Sequence, residues 1–166
     1  MLDVELLRMA GLPLALGVTG HMSIAGRRLG STARGVTAQA SCSVLLLARE
    51  PHEGRSLLVV FDRSPGSERA LAGGLELARR READLVVLLC GAGDQLLQLR
   101  ERAQEVLAKE GVSAEFDDIR PDRIGMLPVL LRRHDCRLLV IPHDSELIDG
   151  RDEFLSDLAL PVLLTR

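Results

Sequence analysis

The sequence predicts an α/β protein: a three-layer, open, parallel five-stranded sheet with helices on both faces, preceded by a partial copy of the same pattern. Three observations point there. Short, fully apolar runs such as Leu57–Phe61 and Leu138–Ile141 read as parallel strands covered on both faces. Between such runs apolar residues recur at helical spacing, so strand and helix alternate without a break, which selects right-handed crossovers. With 46% apolar residues, the 166-residue chain can bury a core for one ordinary domain and part of a second.

The clearest region starts at Ser56. The strand Leu57-Leu58-Val59-Val60-Phe61 ends in Asp62-Arg63-Ser64-Pro65-Gly66-Ser67, where Ser64 is expected to cap a helix with Pro65 at its first position. Leu71, Leu75 and Ala78 give that helix its buried stripe, and Arg79-Arg80-Arg81 suits its C-terminal dipole. A second strand follows at Leu85–Leu89. Asp94 is the expected cap of the next helix, whose stripe is Leu96, Leu99, Ala103, Val106 and Leu107, with Gly111 as its stop. Val112, Ala114 and Phe116 alternate with polar neighbours and predict a half-exposed edge strand. A helix over 127–134, with Pro128 in its first turn, precedes the strand Leu138–Ile141. A last helix containing Phe154, Leu155 and Leu158 leads into Val162-Leu163-Leu164.

Residues 1–50 read as a second copy of that final portion, residues 51–55 as a linker and residues 56–166 as the complete domain. Ser43–Arg49 echoes Pro161–Arg166, and Leu12–Gly17 parallels Leu138–Pro142. The first copy lacks its opening strands and must pack on the second; this implies truncation of a longer tandem protein. The stretch Met9–Gly26 is long enough to raise a membrane question, but four glycines, Pro13 and His21 break it into strand and loop. Asp3 and Glu5 precede any apolar run, unlike a signal peptide, so the expected compartment is the cytoplasm.

Charge and composition narrow the function. The net charge is −3 with both signs interspersed, so no basic footprint for nucleic acid is present. Phe61, Phe116 and Phe154 are the only aromatic residues, too few for a base-stacking platform. Cys42, Cys90 and Cys136 form neither a CxxC pair nor a cluster with histidine, and they read as packing thiols rather than metal ligands or redox sensors. The adjacent pairs His134-Asp135 and His143-Asp144 are the only hint of catalysis, and no nucleophile motif accompanies them. The chain is therefore read as a non-enzyme without a metal.

A family resemblance enters through the glycines. Gly17-Val18-Thr19-Gly20, nine further residues, then Gly30-Ser31-Thr32 follows a candidate strand, opens a helix and precedes Ala40–Leu46; it resembles the nucleotide loop and closing strand of universal stress proteins. Physically, glycines allow close backbone approach, while Ser31, Thr32 and the helix amides can face an anion. Val59–Ser64 with Ser67 and Ala70-Leu71 resembles the family's opening strand, turn and helix, and Asp62 falls where its members place an acid at the nucleotide pocket. The resemblance implies the sheet order 3-2-1-4-5 of the adenine nucleotide alpha hydrolase-like fold, a role in stress response, and ATP or another adenine nucleotide on Gly17, Gly20, Gly30, Ser31, Thr32 and Asp62. It also implies that the final strands of the two copies, 44–47 and 162–164, meet antiparallel within one chain or between two.

The complete copy departs from the pattern. After Ile141 it reads Pro142-His143-Asp144-Ser145-Glu146, without a glycine pair, and Asp144, Glu146 and Asp149 put negative charge where phosphates would lie. The alternative is thus a degenerate member that binds no nucleotide and acts as a protein-interaction module. Apolar residues 12–16, without their flanking strands, favour a homo-oligomer, and a regulatory protein partner is expected, with neither nucleic acid nor membrane.

Overall fold

The computed structural model describes the backbone of residues 14–17 and residues 39–47, 53–148, 154–155 and 158–166. The strands are β1 (Leu14–Gly17), β2 (Val44–Leu47), β3 (Ser56–Phe61), β4 (Asp84–Cys90), β5 (Glu115–Ile119), β6 (Cys136–Pro142) and β7 (Val162–Thr165). The helices are α1 (Ser67–Arg81), α2 (Asp94–Lys109) and α3 (Leu127–Arg133), the last entered through a 3-10 segment at Pro121–Met126. All strands belong to one sheet of order β1-β2-β7-β6-β3-β4-β5.

Within residues 56–166 the order is the expected 3-2-1-4-5. The strand β3 is central, parallel to β4 on one side and β6 on the other, with Val59 opposite both Val87 and Val140. Its residues alternate between two cores, which makes the three layers. Leu57, Val59 and Phe61 join Leu71 and Leu75 of α1 and Leu99 of α2. Leu58 and Val60 face the other way, towards Leu127 and Leu131 of α3 and towards Leu155 and Leu160. Every β3 residue is buried, because both faces of a doubly covered parallel sheet are dry.

The two final strands meet within the chain. The strand β2 runs antiparallel to β7, with Val44 opposite Leu164, Leu45 opposite Leu163 and Leu46 opposite Val162. The pairing covers two apolar edges, and Val44, Leu45 and Leu46 are all at most 1% exposed. The strand β1 continues the sheet parallel to β2 and forms its edge among the described residues.

Three local expectations are corrected. Ser64 does not cap α1; the helix begins at Ser67 with Gly66 at the cap, because Asp62 draws Ser64 into a turn of its own. Asp94 is inside the first turn of α2, and the cap is Gly93, whose φ of 57° and ψ of −133° suit only glycine. The edge strand β5 starts at Glu115 rather than near Val112, so its length is acidic: Glu115, Asp117 and Asp118 lie along the open edge, which discourages further pairing there. Of the expected last helix Phe154 and Leu155 are helical, whereas Leu158, buried in the same core, lies outside any helix.

Glu82, which ends α1, is held at φ 50°, ψ 41°, while the Ala83 N–H reaches back to the Ala78 carbonyl. A left-handed residue with a Cβ costs about 1 kcal/mol that glycine avoids. Glu82→Gly is therefore expected to stabilise the protein by up to about 1 kcal/mol in urea unfolding; a loss of stability would contradict this reading of the cap.

Candidate functional site

Ligands of open α/β sheets bind outside the carboxyl ends of the strands, where the order reverses. Here that crevice lies between β3 and β6, and it is formed by the turn 62–67 and the segment 143–148 that follows β6.

Asp62 is its centre and is 3% exposed. One carboxylate oxygen, Oδ1, accepts the Ser67 hydroxyl at 2.6 Å and the Ser64 N–H at 2.9 Å. The other, Oδ2, accepts the Ser145 hydroxyl at 2.5 Å. The Ser67 oxygen in turn accepts the Asp62 N–H at 3.0 Å and lies 3.0 Å from the Ser64 hydroxyl. Ser145 Oγ also accepts the Leu147 N–H at 3.2 Å. A buried carboxylate requires such partners, and here all of them are internal.

The helix end is also occupied. Asp144 Oδ2 accepts the Gly66 N–H at 3.2 Å, at the position from which the α1 amides would otherwise face an anion. The approach is close enough that a Cβ on Gly66 would stand 2.6 Å from Asp144 Oδ1 and 3.2 Å from Pro142 Cβ. The segment is anchored to β7 as well, since the His143 N–H donates to the Thr165 carbonyl at 2.9 Å and His143 Nδ1 lies 3.2 Å from the same oxygen. The chain's own carboxylates therefore hold the groups that would receive a phosphate.

Of the expected site residues, Asp62 lies in this crevice. Gly17 ends β1, which β2 and β7 separate from the β6 side of the crevice, and Gly20, Gly30, Ser31 and Thr32 lie outside the described residues. Sequence reasoning missed Ser145 and the bond from the Gly66 amide to Asp144. A small hydroxyl residue three positions after Pro142 was the available signal.

The two His-Asp neighbours do not work as pairs. His134 sits at the amino end of the sheet, where Nε2 lies 2.8 Å from Asp117 Oδ2 and Nδ1 3.4 Å from Glu115, while Asp135 bridges Arg55 at 3.2 Å. Burial pushes the Asp117 carboxyl up, but the bonds from His134 and the Asp118 N–H, with the Arg133 charge, hold it below its ordinary value of 3.8. A depressed carboxylate contributes stability above that value and loses the contribution as pH falls below it. His143 and Asp144 approach only to 4.0 Å. Among the described residues no group of three His, Cys, Asp or Glu is placed to hold a metal ion, and no helix is long and apolar enough to cross a membrane.

Cys90 and Cys136 are buried, and burial pushes the Cys136 thiol up to about 12. Its thiolate is negligible near neutrality. Iodoacetamide at pH 8 is expected to leave Cys136 and Cys90 unmodified in the native protein and to label all three cysteines after denaturation; native labelling of Cys136 by mass spectrometry would contradict the burial.

No protein-family model matches the chain, and no curated protein sequence matches it. Solved structures do. A universal stress protein from Archaeoglobus fulgidus DSM 4304 superposes with a TM-score of 0.70 at 18% identity, covering 98% of this chain and 64% of the other. A protein described as a putative universal stress protein from Pseudomonas aeruginosa UCBPP-PA14 gives 0.62 at 17% identity over 95% of this chain and 66% of its own. The chain thus spans just under two thirds of the length of these longer structures. A universal stress protein from Archaeoglobus fulgidus in complex with dAMP gives 0.50 at 21% identity, covering 67% of this chain and 97% of its own. With the sheet order, the two-faced core and these superpositions together, the chain has the universal stress protein fold.

Proposed function

We propose that the chain is a member of the universal stress protein family that regulates a stress response in the cytoplasm by associating with other proteins, with no chemistry of its own, and that its complete domain takes no nucleotide. One observation carries this reading: Asp144 accepts the Gly66 amide at the mouth of the crevice, while Asp62 behind it is bonded on both oxygens. A polyphosphate entering there would meet a carboxylate in place of amides and would have to break a buried network. Titrating ATP calorimetrically into the protein tests it. No saturable heat at micromolar ATP is expected, and tight, stoichiometric binding that survives changes at 17–32 would overturn it.

A second reading has ATP or another adenine nucleotide on the glycine segment, through Gly17, Gly20, Gly30, Ser31 and Thr32. The dAMP complex of a structural neighbour favours it. Under this reading nucleotide released from the denatured purified protein would disappear in a Ser31→Ala/Thr32→Ala variant. Self-association belongs to the proposal too, because β1, of apolar sequence, is an edge strand among the described residues. Sedimentation is expected to show a dimer or larger species, and a clean monomer at tens of micromolar (roughly where weak dimers form) would remove it.

A further inference from the structure

The α3 side of the molecule carries a surface that neither the crevice nor the sheet edges use. Met126, Val129 and Arg132 follow one another at three-residue spacing into α3, and Arg123 precedes them across a kink at its own backbone (φ −112°, ψ 26°), so the four lie on the outward side of this segment, opposite the buried Leu127 and Leu131. All four are exposed. Met126 is 47% and Val129 44% exposed, two of the three large hydrophobic side chains left in solvent among the described residues. Beside them opens a pocket of about 300 Å³ lined by Asp118, Ile119, Arg120, Arg123, Met126 and Leu130.

The arginines next to the stripe are held by carboxylates, and the two at its ends are not. Arg120 is held by Asp122 through two bonds of 3.0 Å, and Arg133 is paired with Asp117 at 3.3 Å. Arg123 and Arg132 have no carboxylate partner among the described residues. The stripe is therefore an apolar centre between two guanidinium groups without a carboxylate partner among the described residues. The rises of the two helix types put those ends roughly 15 Å apart.

We propose that this stripe is a docking surface for an acidic amphipathic helix of a partner protein. This inference rests on the association reading above and names its surface and partner chemistry. The partner's apolar side chains would cover Met126 and Val129, with one entering the pocket, and its carboxylates would pair with Arg123 and Arg132. Charge complementarity selects this occupant. A nucleic acid or a lipid surface would need a wider basic field, whereas Asp118 and Asp122 flank this one and the chain's net charge is −3.

The probe is a fluorescein-labelled helical peptide with two leucines between glutamates about eleven residues apart, which places all four on one face over roughly 16 Å. Its anisotropy with the full chain is expected to saturate with a dissociation constant of roughly 10–100 μM, weakening in high salt. The same peptide with lysines for glutamates should bind at least ten-fold more weakly. Arg123→Glu/Arg132→Glu should reverse the preference, a gain for the lysine peptide that misfolding could not produce. Absence of binding, equal binding of the two peptides, or an unchanged preference in the double variant would overturn the proposal. So would tighter binding of phosphatidylserine vesicles or poly(U) by the same stripe. ATP titrated into the same sample reports on the nucleotide reading separately, so either can fail without the other.

Discussion

Asp62→Ala is expected to be among the most destabilising single substitutions in the chain, at about 3 kcal/mol or more in urea unfolding. The substitution removes hydrogen bonds from the Ser67 hydroxyl, the Ser64 N–H and the Ser145 hydroxyl. Hydrogen bonds to a carboxylate are the stronger kind, and hydroxyls left buried without acceptors cost more than the bonds themselves contribute. Ser67 and Ser145 are each 2% exposed, so water does not replace the lost acceptor. Asp62→Asn should fall between, because its amide would present donors to donors on one side. If Asp62→Ala instead shifted the midpoint by no more than a surface substitution does, the carboxylate would be free, and a ligand-binding role would return.

Leu45→Asp should detach the N-terminal piece. Leu45 is 1% exposed and stands opposite Leu163 in the same core as Leu57 and Val140. A carboxylate at that point has no cation beside it in the core, and burying it costs about 4 kcal/mol or more. The antiparallel pairing of β2 with β7 is then expected to open. Trypsin cleavage at Arg55, whose side chain is already 83% exposed, should accelerate at least ten-fold as the backbone around it loosens. Retention of the complete domain after that cut would show that residues 56–166 stand alone. Unchanged cleavage and stability would show that β2 is not held through this face.

How much of this was legible in the sequence depends on what kind of residue carries it. The parallel strands were, because a doubly covered strand must be apolar throughout, as Leu57–Phe61 and Leu138–Ile141 are. The edge strand starts later than the alternation of Val112, Ala114 and Phe116 implies, because Glu115, Asp117 and Asp118 make up most of it and only Phe116 and Ile119 are its apolar residues in register. The pairing of β2 with β7 was expected from the resemblance rather than from the residues. At the crevice, Asp62 was recognisable by position. What it bonds was not, because Ser145 lies 83 residues away and only the fold brings them together. Asp144 was read as a charge that repels phosphate; the structure adds that it takes the Gly66 amide for itself.

The central claim is that the crevice between β3 and β6 is filled by the protein's own side chains. The most direct test follows the backbone amides of Gly66, Ser67 and Ser145 by NMR while ATP is added to the 166-residue chain. The account predicts that these amides stay in place through millimolar ATP, whatever shifts occur elsewhere. Saturable shifts of Gly66 and Ser145 at micromolar ATP, with Asp144 displaced from the helix end, would contradict it.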